Sequence, residues 1–398
     1  MTSELPKHYP GGEHTISVEA IDCDALRVIM KLRDAGFRAY LVGGGVRDLL
    51  LGVRPKDFDV STSAKPEEVR KIFSNSLLIG RRFRLAHVRF GKKVIEVSTF
   101  RSGEIDSPEL IVRDNRWGTE EEDVLRRDFT INGLFFDPQE NLLIDYVEGY
   151  PDLQKKILRT IGDPSLRFKQ DPVRMIRLIK FCARFQFVID PPTLEALLAC
   201  KEEILQSSSV RIFEELLRML ESGSSRLFLH LLQEYGFLAA LLPEFSHFLA
   251  TYGDALTFQL LEEVDRRVQA GEKAPARSLL VALLLFPLLD QYLRGKEKSD
   301  EKPMHLGQLE NVIFYVIDCF FSPFFVLSRK MRAEVAFLLT AQYRFVPLSG
   351  ERPRHFRFPK DELTPLALDL LALRGVCNPD LSSYVSLWHQ ALLNTKKV

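Results

Sequence analysis

Apolar side chains recur at helical spacing from Ile21 to Gly36 (Leu26, Ile29, Met30, Leu32), and the run stops at the glycine, so the pattern predicts a helix ended by Gly36. Ala39–Val42 predicts a short strand running into Gly43-Gly44-Gly45, with a helix over Val46–Leu51 straight after the glycines. A second strand is predicted over Lys56–Ser61 and a helix over Pro66–Asn75. Leu85–Phe90 and Lys93–Phe100 alternate with period two and turn at Gly91, which predicts a hairpin. From about Asp152 the strand signals disappear. Long amphipathic helical patterns take over, broken at Pro191-Pro192, Gly223, Gly236, Pro243, Gly253, Gly271, Pro287 and Pro323. The charged stretch Gly295–Lys302 predicts an exposed, mobile loop. These textures predict an α+β protein: an N-terminal extension over 1–20, a small mixed or antiparallel sheet domain over 21–155, then two all-α regions over 156–250 and 251–398.

Composition narrows the partners. Lys plus Arg equals Asp plus Glu at 54 each among 398 residues, so any polyanion must be held by local basic patches and not by a global field. Five cysteines, none spaced C-x-x-C, argue against a disulfide framework or zinc ribbon and fit a reducing compartment. Met1 to Thr15 has no apolar segment of the secretory kind. Leu279–Leu289 is shorter than the roughly 18–20 residues that span a bilayer, and Pro287 interrupts it. A soluble, cytoplasmic protein without membrane partners is the expectation.

The chemistry concentrates in residues 41 to 60, LVGGGVRDLLLGVRPKDFDV. Glycines between strand and helix, here Gly43 and Gly44, let backbone N–H groups approach a polyphosphate; a tight turn is the plainer reading. Strand alternation across Asp57-Phe58-Asp59 places both carboxylates on one side and Phe58 in the core. Such a pair repels unless a divalent cation such as Mg²⁺ lies between, although D-x-D also occurs as a solvated strand edge. Glu96, between Ile95 and Val97, is the candidate third carboxylate, the alternative being an exposed residue paired with Lys92 or Lys93.

Three further segments carry polar groups that can converge. Arg127, Asp128 and Asn132 in RRDFTING are separated as on a helix, with an Asp128 cap as the alternative. Asp171 and Arg174 lie three apart where Pro172 opens a helix, offering an acceptor and a donor fork to one ligand edge, or an intrahelical salt bridge. Arg177, Lys180 and Arg184 fall within a sector of about 60° on that helix, a stripe able to follow an RNA backbone or simply to face water.

The strings G-G-x-V-R-D and K-D-F-D-V resemble motif A of the class II polymerase-β nucleotidyltransferases, shared by bacterial poly(A) polymerases and CCA-adding enzymes. The resemblance implies a nucleotidyltransferase head with a helical neck, body and tail. It assigns Gly43, Gly44 and Arg47 to the triphosphate and Asp57 and Asp59 to two Mg²⁺ ions. RRDFTING resembles motif B, which contacts ribose and phosphates, with Gly133 where Ala or Ser is usual. Asp114–Gly118 with Glu120–Asp123 resembles the family's flexible loop; its acidic run otherwise reads as a solvated face. Gln170-Asp171-x-x-Arg174 resembles E-D-x-x-R, whose Asp and Arg template the incoming base, with Gln170 in place of Glu.

Gly80–His87, with Arg81, Arg82 and Arg84, resembles the bacterial poly(A) polymerase branch in place of the less basic H-G-T-V stretch of CCA-adding enzymes. His87 itself is left outside the catalytic set. The resemblance covers nearly the whole chain. It implies template-independent addition of AMP from ATP to RNA 3′ ends by a monomer, with an RNA helicase or exonuclease as the further partner class. CCA addition to tRNA is the alternative, and a catalytically silent RNA-binding protein the remote one. Many members carry an arginine-rich tail where this sequence reads Lys396-Lys397-Val398, which moves the expected extra RNA affinity to patches such as Arg352–Lys360.

Overall fold

The computed structural model describes residues 6–80, 84–103, 110, 116–253, 255–297, 306–347 and 361–395. Arg81, Arg82, Asp114, Asn115, the Arg352–Lys360 patch and most of the charged stretch after Gly295 lie outside them. The chain forms two compact units: the residues up to Leu178 with Gln186–Glu203, and Ile179–Phe185 with the residues from Ile204 onward.

In chain order the first unit comprises β1 (Lys7–Pro10), α1 (Cys23–Asp34), β2 (Ala39–Val42), α2 (Gly44–Leu50), β3 (Asp59–Thr62), α3 (Pro66–Ile72), β4 (Ser76–Ile79), β5 (Leu85–Phe90) and β6 (Lys93–Thr99). A small ribbon, β7 (Arg101–Ser102) with β8 (Arg116–Trp117), leads to α4 (Glu120–Leu125), β9 (Leu134–Asp137), β10 (Leu142–Asp145) and α5 (Gly149–Gln154). Then follow β11 (Ile157–Leu158), α6 (Pro164–Gln170), α7 (Val173–Phe185), which runs on into the second unit, β12 (Val188–Ile189) and α8 (Pro191–Ala199).

Eight strands form one sheet in the order β1-β10-β9-β2-β3-β6-β5-β4. Neighbours are antiparallel except β3 and β6, which are parallel because α3, β4 and β5 intervene in sequence. Alternation then sorts the faces. Val60, Ala86, Val88, Ile95 and Val97 are buried on the side where α1 and α3 pack. Asp59, Glu96 and His87 occupy the other side in one row, because the register pairs Val42 with Asp59, Asp59 with Glu96, Glu96 with His87 and His87 with Leu77.

Several expectations shift for identifiable reasons. The strand predicted from Lys56 begins at Asp59, since its partner β2 ends opposite at Val42 and turns away through Gly43. Asp57 therefore precedes the ladder, and Phe58 is half-buried near Gly45 instead of pointing into the core. The helix after the glycines starts inside them, at Gly44. β4, β9 and β10 were not legible as strands because SLLI, LFFD and LLID are short apolar runs without alternation. β1, within the expected N-terminal extension, is an edge strand of the sheet. The region read as all-helical holds one short parallel pair, β11 with β12.

The second unit contains α9 (Ser209–Leu220), α10 (Ser225–Glu234), α11 (Phe237–Leu241), α12 (Pro243–Tyr252), α13 (Ala255–Gln269), α14 (Arg277–Glu297), α15 (Leu306–Phe321), α16 (Arg329–Phe345), α17 (Thr364–Cys377) and α18 (Ser382–Thr395). The expected break at Pro287 does not occur; α14 runs through it for 21 residues. A missing N–H costs a hydrogen bond, and burial of Leu279 to Phe286, Leu289 and Leu293 offsets it. By length and composition α14 could cross a membrane, contrary to the sequence reading, but 61% of its apolar window is buried inside the protein, as in a core helix.

Candidate active site

Asp59 opens β3 and stands directly opposite Glu96 on the parallel strand β6. Burial, then the neighbouring Glu96 and Asp57 carboxylates, push the Asp59 carboxyl up to about 6 against the opposing pull of Arg127. Three acids crowding one spot, one of them reluctant to ionise, make a donor set of hard oxygens that fits a divalent cation. Glu96 is further met by His87 from β5, Nε2 to Oε2 at 3.6 Å. Another acidic group, Asp22 with Cys23 and Asp24 at the start of α1, is already neutralised: Lys93 Nζ reaches both carboxylates at 2.7 and 2.8 Å.

Beside the acids lies a cradle built on Gly43. Its φ of 65° with ψ of −129° is a conformation that glycine alone adopts without strain. A Cβ there would also stand 3.0 Å from Arg127 Nη1. Gly43→Ala is therefore expected to displace Arg127 and raise the KM for nucleotide several-fold with a smaller change in kcat; steady-state kinetics on the two proteins checks this.

Beneath the cradle runs a buried polar chain. Arg47, 4% exposed, gives Nε and Nη2 to Asp48 Oδ1 at 2.9 and 2.7 Å and Nη1 to Asn132 Oδ1 at 2.6 Å. Asn132 Nδ2 donates to Asp128 Oδ1 at 3.0 Å, and Asp128 Oδ2 meets Arg177 Nη2 at 2.9 Å. Burial pushes the Asp128 carboxyl up, but Arg177, the Asn132 amide and Arg174 outweigh it and hold the carboxyl below its ordinary value. Asp128 and Asn132 converge through a 3-10 turn over Thr130–Asn132 and not through the α-helical turn expected from their spacing.

Arginines line the rest. Arg127 donates to Asp123 Oδ2 at 2.8 Å and to Ser61 Oγ at 3.3 Å, and stacks over Phe135. Arg101, 3% exposed, and Arg126 are within electrostatic reach, and burial with the surrounding Arg101, Arg127, Arg174 and Arg167 charges pushes the Arg126 guanidinium down. The acidic run of α4 is only partly solvated: Glu121 is exposed, but Glu120 and Asp123 are buried, the first taking Arg38 at 2.6 Å and the second Arg126 and Arg127. At the C-terminal end of α4, Arg167 Nη2 holds the Leu125 and Arg127 carbonyls at 3.1 and 3.0 Å, and Arg174 Nη2 holds the Arg126 carbonyl at 2.7 Å. Gln170 accepts from Arg167 Nη1 at 2.9 Å. Asp171 is the C-cap of α6 in a non-helical conformation, φ −147° and ψ 85°, so it approaches Arg174 through a turn and not along one helix. Among the described residues, this gathering of buried guanidinium groups beside the acids suits a polyphosphate.

Arg101, Asp123, Arg126 and Arg167 were missed by sequence reasoning. Asp123 lay inside the acidic run, and nothing in the α6 pattern separates Arg167, 1% exposed, from a surface arginine. Other expected RNA contacts have local partners. Arg84 pairs with Glu67 of α3 at 2.7 Å. In the second unit Lys180 is ion-paired with Glu215 and Arg184 stacks on Phe185.

The sequence matches two families, the "Poly A polymerase head domain" over residues 39–159 and the "Probable RNA and SrmB- binding site of polymerase A" over residues 186–249. Poly(A) polymerase I of Haemophilus influenzae is 38% identical over 94% of this chain and 85% of its own length. Poly(A) polymerase I of Salmonella typhimurium is 40% identical over 73% of this chain, a match spanning 66% of the Salmonella protein. The crystal structure of Bacillus stearothermophilus CCA-adding enzyme in complex with CTP superposes with a TM-score of 0.64 at 26% identity, covering 93% of this chain and 82% of that one. The fold agrees with that structure, and on these matches the chain belongs to the poly(A) polymerase family of nucleotidyltransferases.

Proposed function

We propose that this protein transfers AMP from ATP to RNA 3′ ends without a template, releasing pyrophosphate. The observation that carries the reading is the Asp57, Asp59 and Glu96 cluster standing next to the arginine cluster of Arg127, Arg126 and Arg101. In the reaction the RNA 3′-oxygen forms a bond to the α-phosphorus, the bond to the β,γ-pyrophosphate breaks, and the hydroxyl proton leaves to solvent. Asp57 and Asp59, with Glu96, would hold Mg²⁺, which supplies charge neutralisation and acidifies the attacking hydroxyl when bound. Gly43, Gly44, Arg47 and Arg127 hold the triphosphate, Asp128 and Asn132 fix Arg47 from below, and Asp171 with Arg174 read the base edge. Arg177, held by Asp128, belongs with the nucleotide-binding groups, and Arg81, Arg82, Arg84, Lys180 and Arg184 supply phosphate contacts for RNA, while the match of residues 186–249 to an RNA- and SrmB-binding region supports RNA as the substrate. The protein acts in the cytoplasm. CCA addition is the second reading, favoured by the fold shared with a CCA-adding enzyme.

The test offers purified protein Mg²⁺ with a generic single-stranded RNA or a tRNA lacking its CCA end, and ATP or CTP separately. Long ladders on both RNAs with ATP alone are the expected result. A defined addition that needs CTP and tRNA would establish CCA addition instead.

A further inference from the structure

The row of side chains that holds Asp59 and Glu96 does not stop at the acids. It continues through His87 on β5 to Leu77 on the edge strand β4. Toward β2 and β9 the same sheet face is closed: Val42 and Phe135 are buried with Phe100 and Val124. Toward β5 and β4 it is open, with Leu77 40%, Ile79 39% and Val94 41% exposed around a half-buried His87. Arg89, also on this face by alternation, is exposed. A row of exposed apolar groups with one imidazole is a poor water-facing surface and a good one for the flat side of a nucleobase.

In-line displacement says which nucleotide it serves. The groups suited to the triphosphate, Gly43, Arg47 and Arg127, follow β2 or precede β9, on one side of β3 in the sheet order. Pyrophosphate must depart toward them, so the attacking oxygen must come from the opposite side of the acids. Opposite means across Glu96, toward β5 and β4.

We propose that the open face of β5 and β4, centred on His87 and Leu77, seats the 3′-terminal nucleotide of the RNA being extended, its base against the apolar shelf and its ribose hydroxyl over Glu96. Arg89 offers a cation to a backbone phosphate one pleat farther along. Among the described residues the shelf is apolar apart from His87 and Arg89, so it discriminates little between bases. This rests on the adenylyl-transfer reading above.

Two measurements test it. Steady-state kinetics with ATP compare wild type with His87→Ala, His87→Phe and, at the exposed edge, Leu77→Asp. His87→Ala and Leu77→Asp are expected to raise the KM for RNA roughly tenfold while the KM for ATP stays within about twofold, and His87→Phe, which keeps a stacking face, to restore the RNA KM. Photocrosslinking of wild type to RNA ending in 4-thiouridine is expected to label peptides from residues 76–96, and this readout needs no turnover. An unchanged RNA KM in both variants, or a label confined to other peptides in a protein that extends RNA, overturns the seat. A wild type that extends no RNA overturns the function reading, and the crosslink still decides where the 3′ end lies.

Discussion

Asp59→Asn is expected to abolish AMP transfer and at the same time to make the protein more stable at neutral pH. The loss of activity follows from the site: the carboxylate at the centre of the acid cluster disappears, and a fall of at least about 10³-fold, roughly 4 kcal/mol, is expected from removing so central a charge. The gain in stability follows from the displaced titration. The Asp59 carboxyl moves from 3.8 up to about 6 in the fold, because burial and then Glu96 and Asp57 oppose its ionisation. The folded state therefore holds the proton more tightly than the unfolded chain does. Its stability is highest below the ordinary pKa, declines as pH rises through the window from about 4 to 6, and carries the full penalty above it. Two pKa units correspond to about 3 kcal/mol, and partial solvation of the carboxylate lowers this to about 2.

Thermal unfolding at pH 8 should accordingly place Asp59→Asn a few degrees above wild type in metal-free buffer, with the difference shrinking as the pH approaches 4. Mg²⁺ should raise the melting temperature of wild type and not of the variant. Asp57→Ala, at an exposed position ahead of the strand, should lose activity with little change in stability. An Asp59→Asn protein that melts below wild type at pH 8 would refute the crowded-acid account. Function here is bought with local instability, a pattern expected where like charges are gathered for a cation.

Glu96 was legible in the sequence because it sits in a strand whose period is two: between Ile95 and Val97 it could face only away from the core, whereas the same alternation applied to Asp57-Phe58-Asp59 failed because the strand begins only at Asp59. The pairing that brings Glu96 opposite Asp59 was not legible, since a parallel contact between β3 and β6 depends on the path of α3, β4 and β5 between them. The pocket was less legible still. Whether an arginine is buried or solvated depends on what surrounds it, and Arg101 and Arg167 look in sequence like any other basic residue. Gly149 shows the same limit. No pattern in the sequence marks it, but a Cβ there would stand 2.1 Å from the Thr130 carbonyl, so it is required by the close passage of α5 beneath the turn that carries Asn132. Local periodicity shows which face a residue takes; only the fold shows which residues share it.

The second large effect is expected at Asp128, through stability as well as activity. Its two oxygens hold four things at once: the Phe129 N–H at 2.8 Å, the Asn132 amide at 3.0 Å, and the Arg177 guanidinium at 2.9 Å directly, and through Asn132 the position of Arg47. Asp128→Ala leaves buried positive charge uncompensated, which for a fully buried pair costs about 3–5 kcal/mol. Arg177 is partly solvated, so a loss of about 2–4 kcal/mol in urea denaturation is expected. Asp128→Asn keeps the volume and an acceptor for Phe129 N–H and should lose less. Because the native carboxyl lies below its ordinary value, its contribution is present above about pH 4 and disappears as pH falls further, opposite in sign to Asp59. The gap between wild type and Asp128→Ala should thus stay constant from pH 8 down to about 5. Both variants should raise the KM for ATP, since Arg47 and Asn132 lose the anchor that orients them. A variant that unfolds at the wild-type urea concentration would show that the chain from Asp48 to Arg177 is not what holds the cradle in place.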